Sequence, residues 1–281
     1  MIPSITAILT MAAPLLFATL GALVSERAGV LAVFMDGAIT LSGCLAIAFT
    51  LATGSPLAGF AAAAGCTVLF LFAVALFTER TGANPFLAGL SVNLFAAGLT
   101  SWLSSSLFGT RGVVDLASRG VAVAVPNMAV TSAAFGCAVL FALVFRFTTF
   151  GLRLGVAGTS ARALSVRGIF PARYRVASWC IAAFMASCAG SALAFGLGAY
   201  VPNLSAGRGW TALAAVFLGY RRPLPCVAAV LLFTAAEYIT NILQGIGGLP
   251  STLILGLPYA LALLVFVLVR PGAGRKPGIF R

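Results

Sequence analysis

The chain has 281 residues, 61% of them hydrophobic and only 8% charged, with a formal net charge of +12 and no histidine. Soluble domains carry about 25% charged residues, so a compact water-exposed fold is excluded and an integral membrane protein is expected. The positive charge does not indicate nucleic acid, because every basic residue except Lys276 is arginine and most lie between apolar runs, not on a polar surface.

A membrane-crossing helix needs about 20 apolar residues. In chain order the candidates are 2–24, 29–52, 57–77, 85–108, 127–147, 176–199, 225–243 and 251–269. The first run lacks a charged leader and a clear small-residue cleavage site, so it reads as a retained span. A shorter run, 210–219, lies between Arg208 and Arg221 and is too short for a straight crossing. A broken or re-entrant helix is allowed there only where protein or water shields the backbone. The expectation is an all-α polytopic membrane protein with about nine membrane-embedded helices, within a range of eight to ten.

Arginine placement sets the orientation. With the tail "RPGAGRKPGIFR" in the cytoplasm and nine crossings, the pairs Glu26–Arg27, Glu79–Arg80 and Arg221–Arg222 fall inside, with the segment 151–175. Only Arg111, Arg119 and Arg208 fall outside. The N-terminus is then outside and the C-terminus cytoplasmic. This bias holds only if 210–219 crosses.

The six cysteines form no CxxC pair and read as small buried hydrophobes. Without histidine, imidazole metal sites, Ser-His catalysis and histidine proton relays are excluded. Trp102, Trp179 and Trp210 read as interface anchors near span ends. Gly89, Gly98, Gly190, Gly196 and Gly198 read as sites of close helix contact.

The segment "GLRLGVAGTSARALSVRGIFPARYR" (151–175) is basic, carries no acid and is flanked by apolar runs. Ser160 suits a helix N-cap through its hydroxyl, Ala161–Arg167 favours helix, Gly168 suits the C′ position and Pro171 blocks continuation. From the residues alone this is either a short helix that docks on a partner or a loop whose arginines hold one side.

Four stretches in order resemble the permeases of ABC importers, in the nucleoside and simple-sugar branch. Gly151, Arg153, Ala157, Gly158, Ala161, Ala163, Gly168 and Ile169 match the coupling loop, and "SERAGVLAVFMDGAI" (25–39) resembles the branch's first motif. "GANPFLAGLSVNLFAAGLT" (82–100) and "GRGWTALAAVFLGYRRPL" (207–224) resemble two further motifs. The chain departs from the first motif at Ala32, Phe34 and Asp36, where the family has Asn, Gly and Glu. By the resemblance these positions lie early in a helix, at a bend beside the translocation path, where a bulkier, less polar lining favours nucleoside or riboflavin as competing substrates, with simple sugar behind.

The resemblance implies one transmembrane permease domain over 1–281 with a cytoplasmic coupling loop at about 148–175. It implies a second permease subunit, in a heterodimer over a homodimer, within the cytoplasmic membrane. Two cytoplasmic ATP-binding subunits and an extracytoplasmic substrate-binding protein complete the system. No cofactor is implied, and the chain is not expected to be an enzyme, because ATP hydrolysis falls to a separate subunit. Arg153, Gly158, Ala161, Arg162, Ala163, Arg167, Gly168 and Ile169 are the implied ATPase-coupling residues.

Intramembrane ionisable and amide groups are the default path candidates. These are Asp36, Asn93, Glu237 and Asn241, with Phe34 as a stacking surface. For Asn93 and Asn241 the competing reading, and the favoured one, is interhelical hydrogen bonding; for Glu237 it is pairing with an arginine. An ion-coupled secondary transporter would show a relay of buried acids or broken helices in both halves, and an intramembrane enzyme needs paired acids, a nucleophile–base set or metal ligands. The sequence offers little for the first and nothing at usable spacing for the second.

Overall fold

The computed structural model describes residues 5–121 and 125–246, with side chains through 242. The expected span 251–269 and the basic tail lie outside the described residues. The elements in chain order are α1 (Ile5–Arg27), α2 (Met35–Thr53), α3 (Pro56–Thr81), α4 (Pro85–Phe108), the two-residue strand β1 (Val114–Asp115) and α5 (Asn127–Phe147). There follow α6 (Thr149–Thr159), α7 (Ala161–Val166), α8 (Pro171–Leu197), the strand β2 (Ala199–Tyr200), α9 (Arg208–Leu218) and α10 (Pro223–Ile246). Among the described residues seven helices are long and apolar enough to cross a bilayer, and α9 is a shorter apolar one. Helices α3, α4, α8 and α10 each begin at a proline. Proline is at home there because its missing N–H would have no intrahelical partner.

Helices α1, α2 and α8 form the centre. Helix α1 packs against α5, α8, α9 and α10, and α2 against α3, α4, α8 and α9. Small residues let these backbones approach. A Cβ on Gly21 would lie 2.8 Å from that of Met185, and one on Gly190 would overlap the Ile39 carbonyl oxygen. Gly89 faces the Phe34 nitrogen, but a Cβ on Gly98, Gly196 or Gly198 would meet nothing within 4 Å, so these are not sites of close helix contact.

The expected span 29–52 is not continuous. Residues 28–34 are irregular, and α2 begins at Met35. A break inside a bilayer must place its freed backbone groups on protein. Ser25 does part of this: its carbonyl accepts from the Val30 N–H at 3.0 Å and its hydroxyl donates to the Val30 carbonyl at 2.9 Å. The rest comes from α4, as described below.

The two ends of the bundle differ. At one end Glu79 pairs with Arg175 at 3.6 Å, Glu26 pairs with Arg221 at 3.2 Å, and Arg27 lies over the Phe145 ring at 4.2 Å. Helices α6 and α7 lie at this arginine-rich end. At the other end β1 pairs antiparallel with β2, Val114 opposite Tyr200 and Asp115 opposite Ala199.

From β2 the chain runs through turns at 202–207 into α9, which ends beside Arg221 at the arginine-rich end. The stretch 199–222 therefore crosses as an irregular half followed by a helical half. At about 1.5 Å per residue, α9's 11 residues span half of a roughly 30 Å hydrocarbon core. The short run expected at 210–219 is this half-helix.

Candidate functional site

The break at 28–34 positions the site. Asn93, on α4, joins the end of the break to the first turn of α2: its Oδ1 accepts the Gly37 N–H at 2.8 Å and its Nδ2 donates to the Val33 carbonyl at 2.8 Å. Next to Gly37, the Asp36 Oδ1 accepts the Gly209 N–H at the start of α9, at 3.1 Å. Unpaired N–H groups and aligned dipoles make a helix N-terminus a natural seat for a carboxylate. A Cβ on Gly209 would lie 2.6 Å from the Asp36 Cα, so only glycine allows this approach. Two broken elements thus meet inside the bundle, one presenting a carboxylate and the other a helix N-terminus.

Beside this junction is a polar cavity of about 210 Å³. Asp36, Gly37 and Thr40 line it from α2, and Asn93, Ala97, Thr100, Ser101 and Ser104 from α4. Arg111, Tyr200, Pro202 and Asn203 close it from the connecting segments. The β1–β2 pairing brings the last group to the first, because it fixes the 111–115 loop beside Tyr200. Hydroxyl, amide, carboxylate and guanidinium groups converge here, which suits a polar, hydrogen-bonding solute. A larger cavity of about 860 Å³ between α1, α3, α5 and α8 is mostly apolar, with Phe17, Phe60, Leu193 and Phe195 among its lining residues. Its polar lining, Thr10, Ser55, Asn127, Ser191 and Arg208, is scattered over a mostly apolar surface, so it is the weaker path candidate.

Of the expected path residues, Asp36 and Asn93 reach the polar cavity. Asn93 has its amide engaged by backbone, so it acts as both lining and interhelical bond. Phe34 does not line the cavity: it is wholly buried, stacked on Trp179 at 4.1 Å between ring centroids and 10° between planes. Trp179 is correspondingly a buried core residue, not an interface anchor. Glu237 pairs with Arg208 at 3.9 Å, away from the cavity lining, and Asn241, one turn further along α10, is exposed. The sequence reading missed Thr100, Ser101 and Ser104, although with Asn93 they form a polar stripe at helical spacing on α4. Arg111, Tyr200 and Asn203 had no local signal.

The basic segment folds as two short helices. Thr148 caps α6 through its hydroxyl, which accepts the Gly151 N–H at 3.2 Å. Ser160 stands at the start of α7, but its hydroxyl makes no cap bond; the Ala163 N–H goes to the Ser160 backbone carbonyl at 3.1 Å instead. Gly168 has φ 71, as a C′ residue should. Leu164 points inward, whereas Arg162, Ala163, Val166, Arg167 and Phe170 are exposed; Ala161 and Ile169 are half-buried. Arg153 is exposed and donates to the Tyr174 hydroxyl at 3.2 Å. Gly158, at the end of α6, sits against the break: a Cβ there would overlap the Arg27 carbonyl and lie 2.7 Å from the Gly29 nitrogen.

A polytopic helical bundle with two interrupted crossings around a polar intramembrane cavity is the architecture of a membrane transport protein. The family model described as branched-chain amino acid transport system / permease component matches residues 4–269, and the chain belongs to that family. It is 27% identical to the nucleoside ABC transporter permease protein NupC of Lactococcus lactis subsp. cremoris (strain MG1363), over 91% of this chain and 88% of that one. It is 23% identical to the guanosine ABC transporter permease protein NupQ of Bacillus subtilis (strain 168), over 92% of this chain and 89% of that one. It is 26% identical to the putative glucose ABC transporter permease protein TsgC13 of Haloferax volcanii, over 78% and 71% respectively. No solved structure matches. The chain is thus a multi-pass ABC importer permease, of the branch indicated by its four motifs.

Proposed function

We propose that the chain forms half of the pore of an ATP-driven importer for nucleosides, and that its polar cavity lies on the translocation path. The carrying observation is the convergence of Asp36, Asn93, Arg111 and Tyr200 beside two broken crossings. A nucleoside is neutral, with donors and acceptors on both base and ribose, which suits a cavity offering a carboxylate, a guanidinium and hydroxyls together. The names of two relatives point the same way. Flavin loses its ground, because the bulky residue that favoured it, Phe34, is packed on Trp179.

By the positive-inside rule the arginine-rich end faces the cytoplasm, which puts the start of α1 outside, and the same rule applied to the basic tail puts the C-terminus inside. The α6–α7 segment then meets a partner ATPase, with Arg162, Arg167, Val166 and Phe170 offered to it. ATP hydrolysis belongs to that subunit and not to this chain. An outside binding protein delivers solute, and a second, non-identical permease completes the pore. ATP-driven movement biases the pore between two access states.

The test is uptake of radiolabelled guanosine, uridine and glucose into proteoliposomes holding the complete complex. ATP-dependent nucleoside uptake is expected. Glucose uptake without nucleoside uptake would move the substrate to sugars, and uptake driven by an ion gradient without ATP would overturn the importer reading.

A further inference from the structure

The two broken elements are joined at both ends. At the cavity, the Gly209 N–H on α9 donates to Asp36. At the arginine-rich end, the turn after α9 returns to the end of α1: Arg221 pairs with Glu26 at 3.2 Å, and the Arg27 Nε donates to the Arg221 carbonyl at 3.1 Å. The break at 28–34 lies between these two attachments, so α9 runs alongside it as a closed brace. Both flanks of α9 carry non-glycine residues in the left-handed region, Asn203 (φ 56) and Ala206 (φ 46) before it, Tyr220 (φ 51) and Arg221 (φ 55) after it. Such backbone is costly and is retained where surrounding contacts hold it.

The lower joint is built to be released. Glu26 is buried, yet only its Oε2 meets Arg221; its Oε1 has no hydrogen-bond partner among the described residues. Arg221 is half exposed. Gly158 of α6 touches the same joint from below, against the Arg27 carbonyl and the Gly29 nitrogen.

We propose that α9 is a strut that sets the position of Asp36 in the cavity from the arginine-rich end, with Glu26 and Arg221 as the positioning residues at its releasable joint. A push on α6 reaches Arg27 and Gly29, shifts the joint, and carries α9 with it as a short rigid rod. Gly209 then moves relative to the cavity, and Asp36 with it. This rests on the reading of the cavity as the transport path, but the mechanical linkage is testable without transport.

The experiment is amide hydrogen exchange on the purified complex, comparing wild type with Arg221→Gly and Glu26→Gln. Arg221→Gly deletes the ion pair and relieves the left-handed strain but leaves the buried Glu26 carboxylate without its counter-charge; Glu26→Gln keeps the shape of the side chain and removes that charge, so it decides the matter if Arg221→Gly fails to fold. Exchange at the remote end, residues 36–38 and 209–211, is expected to rise at least tenfold in both variants. A rise confined to 26–29 and 219–222, or no rise, would show a purely local ion pair and overturn the strut. In proteoliposomes the same variants are expected to transport at least tenfold less solute per ATP hydrolysed, with basal ATP turnover unchanged. A ratio within twofold of wild type would overturn the positioning role. A wild-type complex that hydrolyses ATP without moving solute would instead strike at the importer reading, and leave the exchange result to decide the linkage.

Discussion

The Asn93 side chain bridges Gly37 and Val33, accepting from one and donating to the other at 2.8 Å each, across the start of an interrupted transmembrane helix. One amide thereby replaces part of the hydrogen bonding that a continuous helix would have supplied. Asn93→Ala leaves a donor and an acceptor without partners, each costing about 1–3 kcal/mol. The expected result is a lower thermal unfolding midpoint of the detergent-purified complex, with Asn93→Asp intermediate because it keeps the acceptor. Equal midpoints for all three proteins would show that the break is held by other contacts.

Gly209→Ala is expected to abolish most transport, because the added Cβ collides with the Asp36 backbone and not with a flexible side chain. Overpacking of this kind costs about 1–3 kcal/mol. Gly98→Ala and Gly196→Ala are the matched controls, since both positions are open. Uptake assays should separate the first variant from the other two.

Trp179→Ala removes the partner of Phe34 and opens a cavity at the centre of the bundle. Loss of such a core side chain costs about 3–5 kcal/mol, so thermal stability should fall sharply, while Trp179→Phe should recover much of it by keeping a stacked ring. The substrate preference of the Trp179→Phe complex should match wild type, because neither ring reaches the polar cavity.

Asp36→Asn keeps an acceptor for the Gly209 N–H and removes the charge. Folding and basal ATP turnover are expected to be normal, with uptake reduced about tenfold or more, equivalent to roughly 1.4 kcal/mol of transition-state stabilisation. Full uptake by this variant would show that the carboxylate serves only to hold α9.

Much of this arrangement was legible in the sequence, and what was not has physical reasons. Span positions followed from the length of apolar runs, and the half-helix α9 was marked by the arginines on either side of it. A bend was expected at Ala32, Phe34 and Asp36, but not the extent of the break at 28–34, whose residues are as apolar as the helix they interrupt. It is held by Asn93 of α4, distant in sequence, and by Ser25 at the end of α1 beside it. The burial of Phe34 follows from the same break, which turns that ring toward Trp179. The cavity was half visible: Asp36 and Asn93 were uncommon polar groups in apolar runs. Arg111 and Tyr200 join them only through the pairing of two strands far apart in sequence. The start of α7 was legible at Ser160, but the side-chain bond was not, because its backbone carbonyl takes the contact instead.

The most direct test of the account places single cysteines at Ala163 and Val166, both exposed on α7, in a background from which the native cysteines have been removed. Right-side-out cells or vesicles are treated with a membrane-impermeant maleimide, and inverted vesicles with a bifunctional crosslinker. No labelling of either position is expected from outside, and capture of the ATP-hydrolysing subunit is expected from inside. Labelling from outside, or crosslinks that never reach that subunit, would contradict the account.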